Sequence, residues 1–384
     1  MTQRYSVISN PHLEGIQVPE RTLETGDALG VLTGRQFHVC GDIVLGALPY
    51  VDPHAGGVFV TGAYGPSRVQ RLRRQFPTVP FMLEPRSLSE YRANEDAPFL
   101  IDIGDNELFP ATLDAALDKQ RLDMGSDLAI TPTGQFRTGD TDTVRKALEE
   151  VNALDRKDVL FAAAFEGGWL NDEQNVKFIR SVINRSNHPV LLSFVGTANP
   201  MGGKKRIRAY RRIMEESTRP VVAYRTDMAG FDARALGAIA SAIGALPSAR
   251  RLTPPGSGGS PDDPTDLAPH ELIGDMLRFV RSKEMRRRWF AEAEPILCFC
   301  VVCRGRSIDR FTHLEADRRE GHLHTVAELT RMHSSTIGMT QLELKAHWGN
   351  LVRGALDAYE QLEEHIGVQL GRPNDLQVWA EGIA

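Results

Sequence analysis

Short apolar segments recur along this chain at the spacing of one strand, one helix and two turns. Eight have strand character: 58–62, 81–85, 99–104, 128–132, 159–166, 190–196, 221–225 and, more weakly, 249–252. From the third onward their starts lie 29, 31, 31, 31 and 28 residues apart. One βα unit consumes about 30 residues. Several segments, such as VLFAAAFE and VLLSFV, are continuous apolar runs rather than alternating ones. That is the pattern of parallel strands covered on both faces. Between them, 141–153, 173–184 and 206–216 place apolar residues at helical spacing, and 233–244 is small and apolar, as a tightly packed outer helix would be. Eight units in series predict an α/β chain with a TIM-type (β/α)8 barrel over 51–260, in preference to an open doubly wound sheet.

The flanks read differently. Residues 1–50 carry glycines and polar turns, the expected composition of an N-terminal cap segment. The tract 253–268 (TPPGSGGSPDDPTDLA) cannot build a core and reads as a linker or loop. Residues 261–384 then form a zinc-binding and C-terminal helical subdomain, in which 269–294 reads as helical and basic and 340–367 as one long amphipathic helix. The composition, 41% hydrophobic and 25% charged over 384 residues, excludes a disordered or fibrous chain. A net charge of −5 excludes a wholly basic nucleic-acid coat but not a local basic face. The first residues lack a secretory h-region, and no apolar run approaches the ~20 residues of a membrane span, so the expectation is a cytoplasmic protein without membrane contact.

Three of the four cysteines, Cys298, Cys300 and Cys303, fall within six positions. Three thiols so close can converge on one ion if the backbone turns sharply, and Arg304-Gly305 can supply the turn. Zinc takes four N/S ligands in tetrahedral geometry. The fourth must come from downstream, where His322 and His324 share a helical stretch, with His324 21 residues after Cys303. A closed four-ligand site of this kind is structural. Upstream, His38 near Cys40 reads as core, with a second metal or catalytic pair as the alternative.

A barrel followed by Cys-x-Cys-x-x-Cys and a later histidine resembles the tRNA-guanine transglycosylase superfamily, including its DNA-directed relatives. That resemblance implies a zinc subdomain appended after the last strand, and exchange of a guanine in tRNA or DNA for a 7-deazaguanine base. Where the family has an Asp-Ser-Gly-Gly-Phe turn contacting the purine, this chain has Asp102-Ile103-Gly104-Asp105. Where a middle strand of the family ends in a base-contacting Gln followed by Gly, this chain has Glu166-Gly167. Gly196 stands for one of the glycines whose backbone faces the base. The family's nucleophile is the Asp of a Phe-Asp pair on the last strand. Here the corresponding place reads Gly244-Ala245-Leu246-Pro247-Ser248, while Phe231-Asp232 and Asp227 stand one unit earlier.

The residues themselves point to related chemistry. Barrel enzymes work at the C-terminal ends of their strands, where this chain offers Glu84, Asp102, Asp105, Glu166 and Asp227. Paired carboxylates suit cleavage at an anomeric carbon. Asp102 and Asp227 are the candidate nucleophiles, and Glu166, with Gly167, Gly196 and Asp105, the candidate base-binding set. Asp227 reads equally well as a helix N-cap. Basic clusters at 68–74, 204–212 and 283–288 suit a phosphate backbone, or else are solvated helix faces. Three functions remain open: base exchange or cleavage in nucleic acid, a catalytically silent nucleic-acid-binding or partner subunit, and an enzyme of free nucleosides or small glycosides. A homodimer is a further possible state.

Overall fold

The computed structural model describes residues 26–62, 66–101, 112–257 and 267–381. Eight parallel strands form a nearly closed barrel: β1 (Arg35–Cys40), β2 (Gly56–Val60), β3 (Phe81–Leu83), β4 (Ala129–Ile130), β6 (Val159–Glu166), β7 (Val190–Val195), β8 (Val221–Thr226) and β9 (Ala240–Gly244). The neighbour order is β3-β2-β1-β9-β8-β7-β6-β4, and the two-residue β5 (Gln135–Phe136) pairs only with the end of β6. Between β3 and β4 side chains close the ring. Asp127 accepts from the Phe81 amide at 2.7 Å while its own amide donates to the Phe81 carbonyl, and Ser126 accepts from Leu83. Arg73 neutralises that carboxylate at 2.7 Å.

Strand residues alternate between two apolar environments. Phe37, Val39, Phe59, Leu160, Ala162, Ala164, Val222 and Tyr224 fill the barrel interior. Phe161, Ala163, Phe165, Leu192 and Ala223 pack outward on helices. This double burial is why those strands are continuously apolar. The outer helices Thr141–Asn152, Glu173–Arg185 and Lys204–Glu216 lie where apolar periodicity placed them. Asp140 and Asp172 cap the first two by accepting from backbone amides.

The sequence assignments fail at the barrel's edges. Arg35–Cys40, within the stretch assigned to a cap, is a central strand paired on both sides. Gln36 and His38 break its apolar run, yet both are buried, because the helix Glu315–Ser334 covers the outer face of β1 and Thr330 bonds His38 Nε2 at 3.0 Å. The expected helix 233–244 is instead the end of a short helix, Ala229–Ala235, a turn through Gly237 at φ +114°, and strand β9. Residues 249–252, expected as the last strand, make one turn and a single bridge from Leu252 to Val195. Within 99–104, Phe99 makes one antiparallel bridge to Thr133, and positions 102–104 lie outside the described residues.

Beyond the barrel, 269–294 is not helical throughout. It opens with the antiparallel hairpin β10 (His270–Ile273) and β11 (Arg278–Arg281), followed by short helical turns through Trp289. A second small hairpin pairs β12 (Leu297–Cys298) with β13 (Arg306–Ser307). The long helix Gln341–Ile366 is present, opened by a reciprocal capping box between Thr340 and Glu343 and closed by Gly367 at φ +64°. Among the described residues no helix is long and apolar enough to cross a membrane.

Candidate metal centre and barrel mouth

Cys298, Cys300, Cys303 and His324 converge. Their ligand atoms all lie within 4.8 Å of one another, and the Sγ to Nδ1 separations are 3.6, 3.4 and 3.4 Å in that order. Around a tetrahedral zinc, Zn–S of ~2.3 Å and Zn–N of ~2.0 Å put sulfur and nitrogen about 3.5 Å apart. The backbone supplies the turn that the sequence demanded. Arg304 and Gly305 both adopt left-handed φ, +53° and +82°. The amides of Arg304 and Gly305 donate to the carbonyls of Cys300 and Cys298 at 2.9 and 2.8 Å.

A second layer fixes the donors. His324 donates from Nε2 to the Leu272 carbonyl at 2.9 Å, which leaves Nδ1 with its lone pair toward the sulfurs. Arg310 Nη1 donates to Cys303 Sγ at 3.4 Å, and the Cys303 amide to Cys300 Sγ at 3.3 Å. Hydrogen bonding among the three thiols holds Cys300 below its ordinary value and pushes Cys298 above it; a bound metal takes all three as thiolates. These residues fit a divalent metal, a set of three sulfurs and one nitrogen being a zinc-type donor set. His322 is not in the cluster, so of the two histidines it is His324 that completes it. Cys40 also stands apart, buried in β1 with its thiol pushed up to about 12 by burial.

The centre fastens the β12–β13 hairpin to the helix Glu315–Ser334, which itself packs on β1. His324 sits on the helix that covers β1, and Leu272, its hydrogen-bond partner, on β10. Beside it Glu271 is fully buried, accepts from Ser282 Oγ at 2.8 Å, and is pushed up to about 8 by desolvation.

The barrel mouth is occupied by paired charges and by the chain's own backbone. Glu84, after β3, is held by Arg225 from β8 at 2.6 Å and by the Tyr224 hydroxyl. Arg225 also donates to the carbonyls of Ser248 and Arg251, and the Gly196 amide donates to Leu252. The segment after β9 thus crosses the strand ends. Glu166 is bound by Arg92 at 2.8 Å and by the Thr138 amide and hydroxyl at 3.0 and 3.2 Å. Gly167 packs against Pro200 so closely that a Cβ would lie 3.0 Å from its carbonyl oxygen.

Asp227 lines a narrow recess at the ends of β7 and β8 with Ser193, Asn199, Tyr210, Thr226 and Arg250. The hydroxyls of Ser193, Tyr210 and Thr226 are buried without a hydrogen-bond partner. Arg250 is half-buried; desolvation brings it down to about 9, and its guanidinium lies 3.4 Å over the Phe279 ring centroid. One Asp227 oxygen accepts from the Ala229 amide at 3.0 Å, although the N-cap of the short helix that follows is Met228. Asp232, from the Phe-Asp dipeptide, is away from the mouth. It is buried on an outer helix, where Trp348 donates to it at 2.9 Å and Arg211 approaches to 3.3 Å. Asp102 and Asp105 lie outside the described residues.

The basic clusters divide. In the second, Arg206, Arg208, Arg211 and Arg212 bond Asn171, Glu381, Asp232 and Glu173, which makes it chiefly a structural network. In the third, Arg286, Arg287 and Arg288 are exposed. The sequence reading missed Arg92 and Arg225, whose partners are far away along the chain. The chain matches no protein-family model and no curated protein.

Proposed function

We propose that this protein is a zinc-stapled barrel of the guanine-transglycosylase type, acting at the N-glycosidic bond of guanine or a 7-deazaguanine base in tRNA or DNA. The observation that carries the reading is the Cys298/Cys300/Cys303/His324 centre on a lobe that follows the eighth barrel strand. Bound zinc would supply structure rather than chemistry, because four protein donors leave no open position. In the exchange a carboxylate adds to C1′ of the nucleotide as the purine leaves and takes up a proton. The incoming base then displaces the carboxylate and loses its proton, and the anomer is retained. Asp227, in the recess at the ends of β7 and β8, and Asp102 are the carboxylates for that step. Glu166, Gly167, Gly196 and Asp105 are the candidates for holding the base.

A second reading has its own support. Glu84 and Glu166 are each paired with an arginine, and the backbone after β9 crosses the mouth, as suits a catalytically silent nucleic-acid-binding or partner subunit. The test is incubation of the protein with tRNA and with duplex DNA in the presence of labelled guanine. Base exchange predicts label in one polymer, lost in Asp227→Asn or Asp102→Asn. Binding without incorporation selects the silent subunit. No binding to either polymer removes both readings and leaves a small-molecule substrate.

A further inference from the structure

The three cysteines turn inward to one point, while Leu297 just before them and Phe299 and Val301 between them face outward and Val302 is buried. Leu297, Phe299 and Val301 are 55%, 79% and 51% exposed, and the described residues carry few apolar side chains so bare. The loop that bears them is not loose. It is pinned by the cysteine cluster, by the β12–β13 pair and by the left-handed turn at Arg304-Gly305. The Phe299 ring rests over that turn; a Cβ on Gly305 would lie 3.4 Å from its Cε1. Arg304 donates from Nε to the Val301 carbonyl at 3.1 Å, so a guanidinium stands at the same tip.

The charge around this tip runs against the rest of the chain. Residues 278–311 hold nine basic side chains against four acidic ones, in a protein of net charge −5. Arg286, Arg287 and Arg288 are exposed on the helical turn that precedes the hairpin, and Arg286 Nη2 donates to the Phe311 carbonyl at 3.1 Å, which ties that turn to the lobe. An exposed aromatic ring with one arginine at its tip and a run of exposed arginines on the same lobe suits a single-stranded nucleic acid, which needs a surface on which a base stacks and cations for the flanking phosphates.

We propose that the tip of the metal lobe is a nucleic-acid contact in which Phe299 stacks on an unpaired base, Leu297 and Val301 cover its edge, and Arg304 with Arg286, Arg287 and Arg288 holds the neighbouring phosphates. This rests on the nucleic-acid part of the function proposed above, not on the exchange step. A second copy of the chain is a poorer occupant, because a symmetric contact would bring two positively charged lobes together.

The test is fluorescence anisotropy of a labelled single-stranded oligonucleotide and of tRNA, titrated with the metal-loaded protein at several salt concentrations. Phe299→Ala weakens binding about tenfold, with metal content and Tm unchanged, since the side chain is exposed. Phe299→Trp keeps the affinity, and its added fluorescence is quenched on binding. Arg287→Ala and Arg304→Ala each flatten the salt dependence, whereas Phe299→Ala does not. Unchanged affinity in Phe299→Ala, or no quenching in Phe299→Trp, overturns the proposal. So does a wild-type dimer that Phe299→Ala converts to monomer with no effect on the oligonucleotide. The exchange assay on the same preparations separates the two proposals. Phe299-dependent binding without guanine incorporation keeps this one and removes base exchange. Full incorporation with unaltered affinity in Phe299→Ala does the reverse.

Discussion

Arg225 reaches across the barrel mouth and holds Glu84 by both carboxylate oxygens, at 2.6 Å each. Their strands, β8 and β3, are separated by β9, β1 and β2 in the ring, so the pair ties opposite walls together. Arg225 accepts a φ of +51° in order to do so. Both side chains are nearly out of water, and breaking such a pair from one side leaves a buried charge without its partner. Arg225→Met therefore lowers stability by about 3–5 kcal/mol in urea unfolding. The double variant Arg225→Met/Glu84→Gln recovers a substantial part of that loss. Equal instability of the single and double variants would contradict a pairing role.

Gly56 and Gln36 show how tightly β1 sits in the ring. A Cβ at Gly56 would come within 1.8 Å of the Gln36 carbonyl oxygen, which is backbone and cannot swing away. Gly56→Ala must push β2 off β1, at a cost of about 3 kcal/mol. Gly34→Ala is the wrong comparison because Gly34 has φ +75°, whereas Gly354 in the long helix has open space and gains helix propensity on conversion to Ala. Thermal unfolding of Gly56→Ala and Gly354→Ala checks the contrast: a large drop in Tm for the first, and none for the second.

His38 gives the fold an acid limit. It is fully buried against Thr330, and burial brings it down to about 4. Between pH 4 and the unfolded value near 6.5 the unfolded chain binds a proton that the folded chain refuses. The contribution of His38 is therefore complete above pH 6.5 and is lost as pH falls toward 4, a loss on the order of 3 kcal/mol. Urea midpoints of the wild type and His38→Gln from pH 7.5 to 4.5 should converge as the pH falls. Parallel curves would show that His38 binds protons alike in the folded and unfolded chains.

These particulars also explain what the sequence could and could not reveal. Strands β6, β7 and β8 were legible because helices cover one face and the barrel interior the other, so every position is apolar. Strand β1 was hidden because Gln36 and His38 are buried by a helix that lies almost three hundred residues downstream. Strand β9, Ala-Ser-Ala-Ile-Gly, has no residue type that separates a strand from a tightly packed helix. The cysteines announced a metal site by their spacing alone. The choice between His322 and His324 did not follow, because residues two apart on a helix point about 200° from each other and only the docked helix shows which one faces the sulfurs. Glu84 and Arg225 are 141 residues apart, so the closure of the mouth is a property of the ring and of no local pattern.

The central claim is that one metal ion, held by Cys298, Cys300, Cys303 and His324, fastens the β12–β13 hairpin to the helix Glu315–Ser334 that packs on the barrel. Elemental analysis of the purified protein and four variants tests it most directly, with proteolysis of the 267–381 region followed in parallel. The account predicts one zinc per chain, retained in Cys40→Ser and His322→Ala, and lost in Cys300→Ser and His324→Ala together with the lobe's resistance to protease. Structural zinc is worth roughly 10 kcal/mol or more to local folding at neutral pH, so the loss should be unmistakable. A wild-type chain free of metal under metal-replete preparation, or a His324→Ala variant that keeps its zinc and a protected lobe, would contradict it.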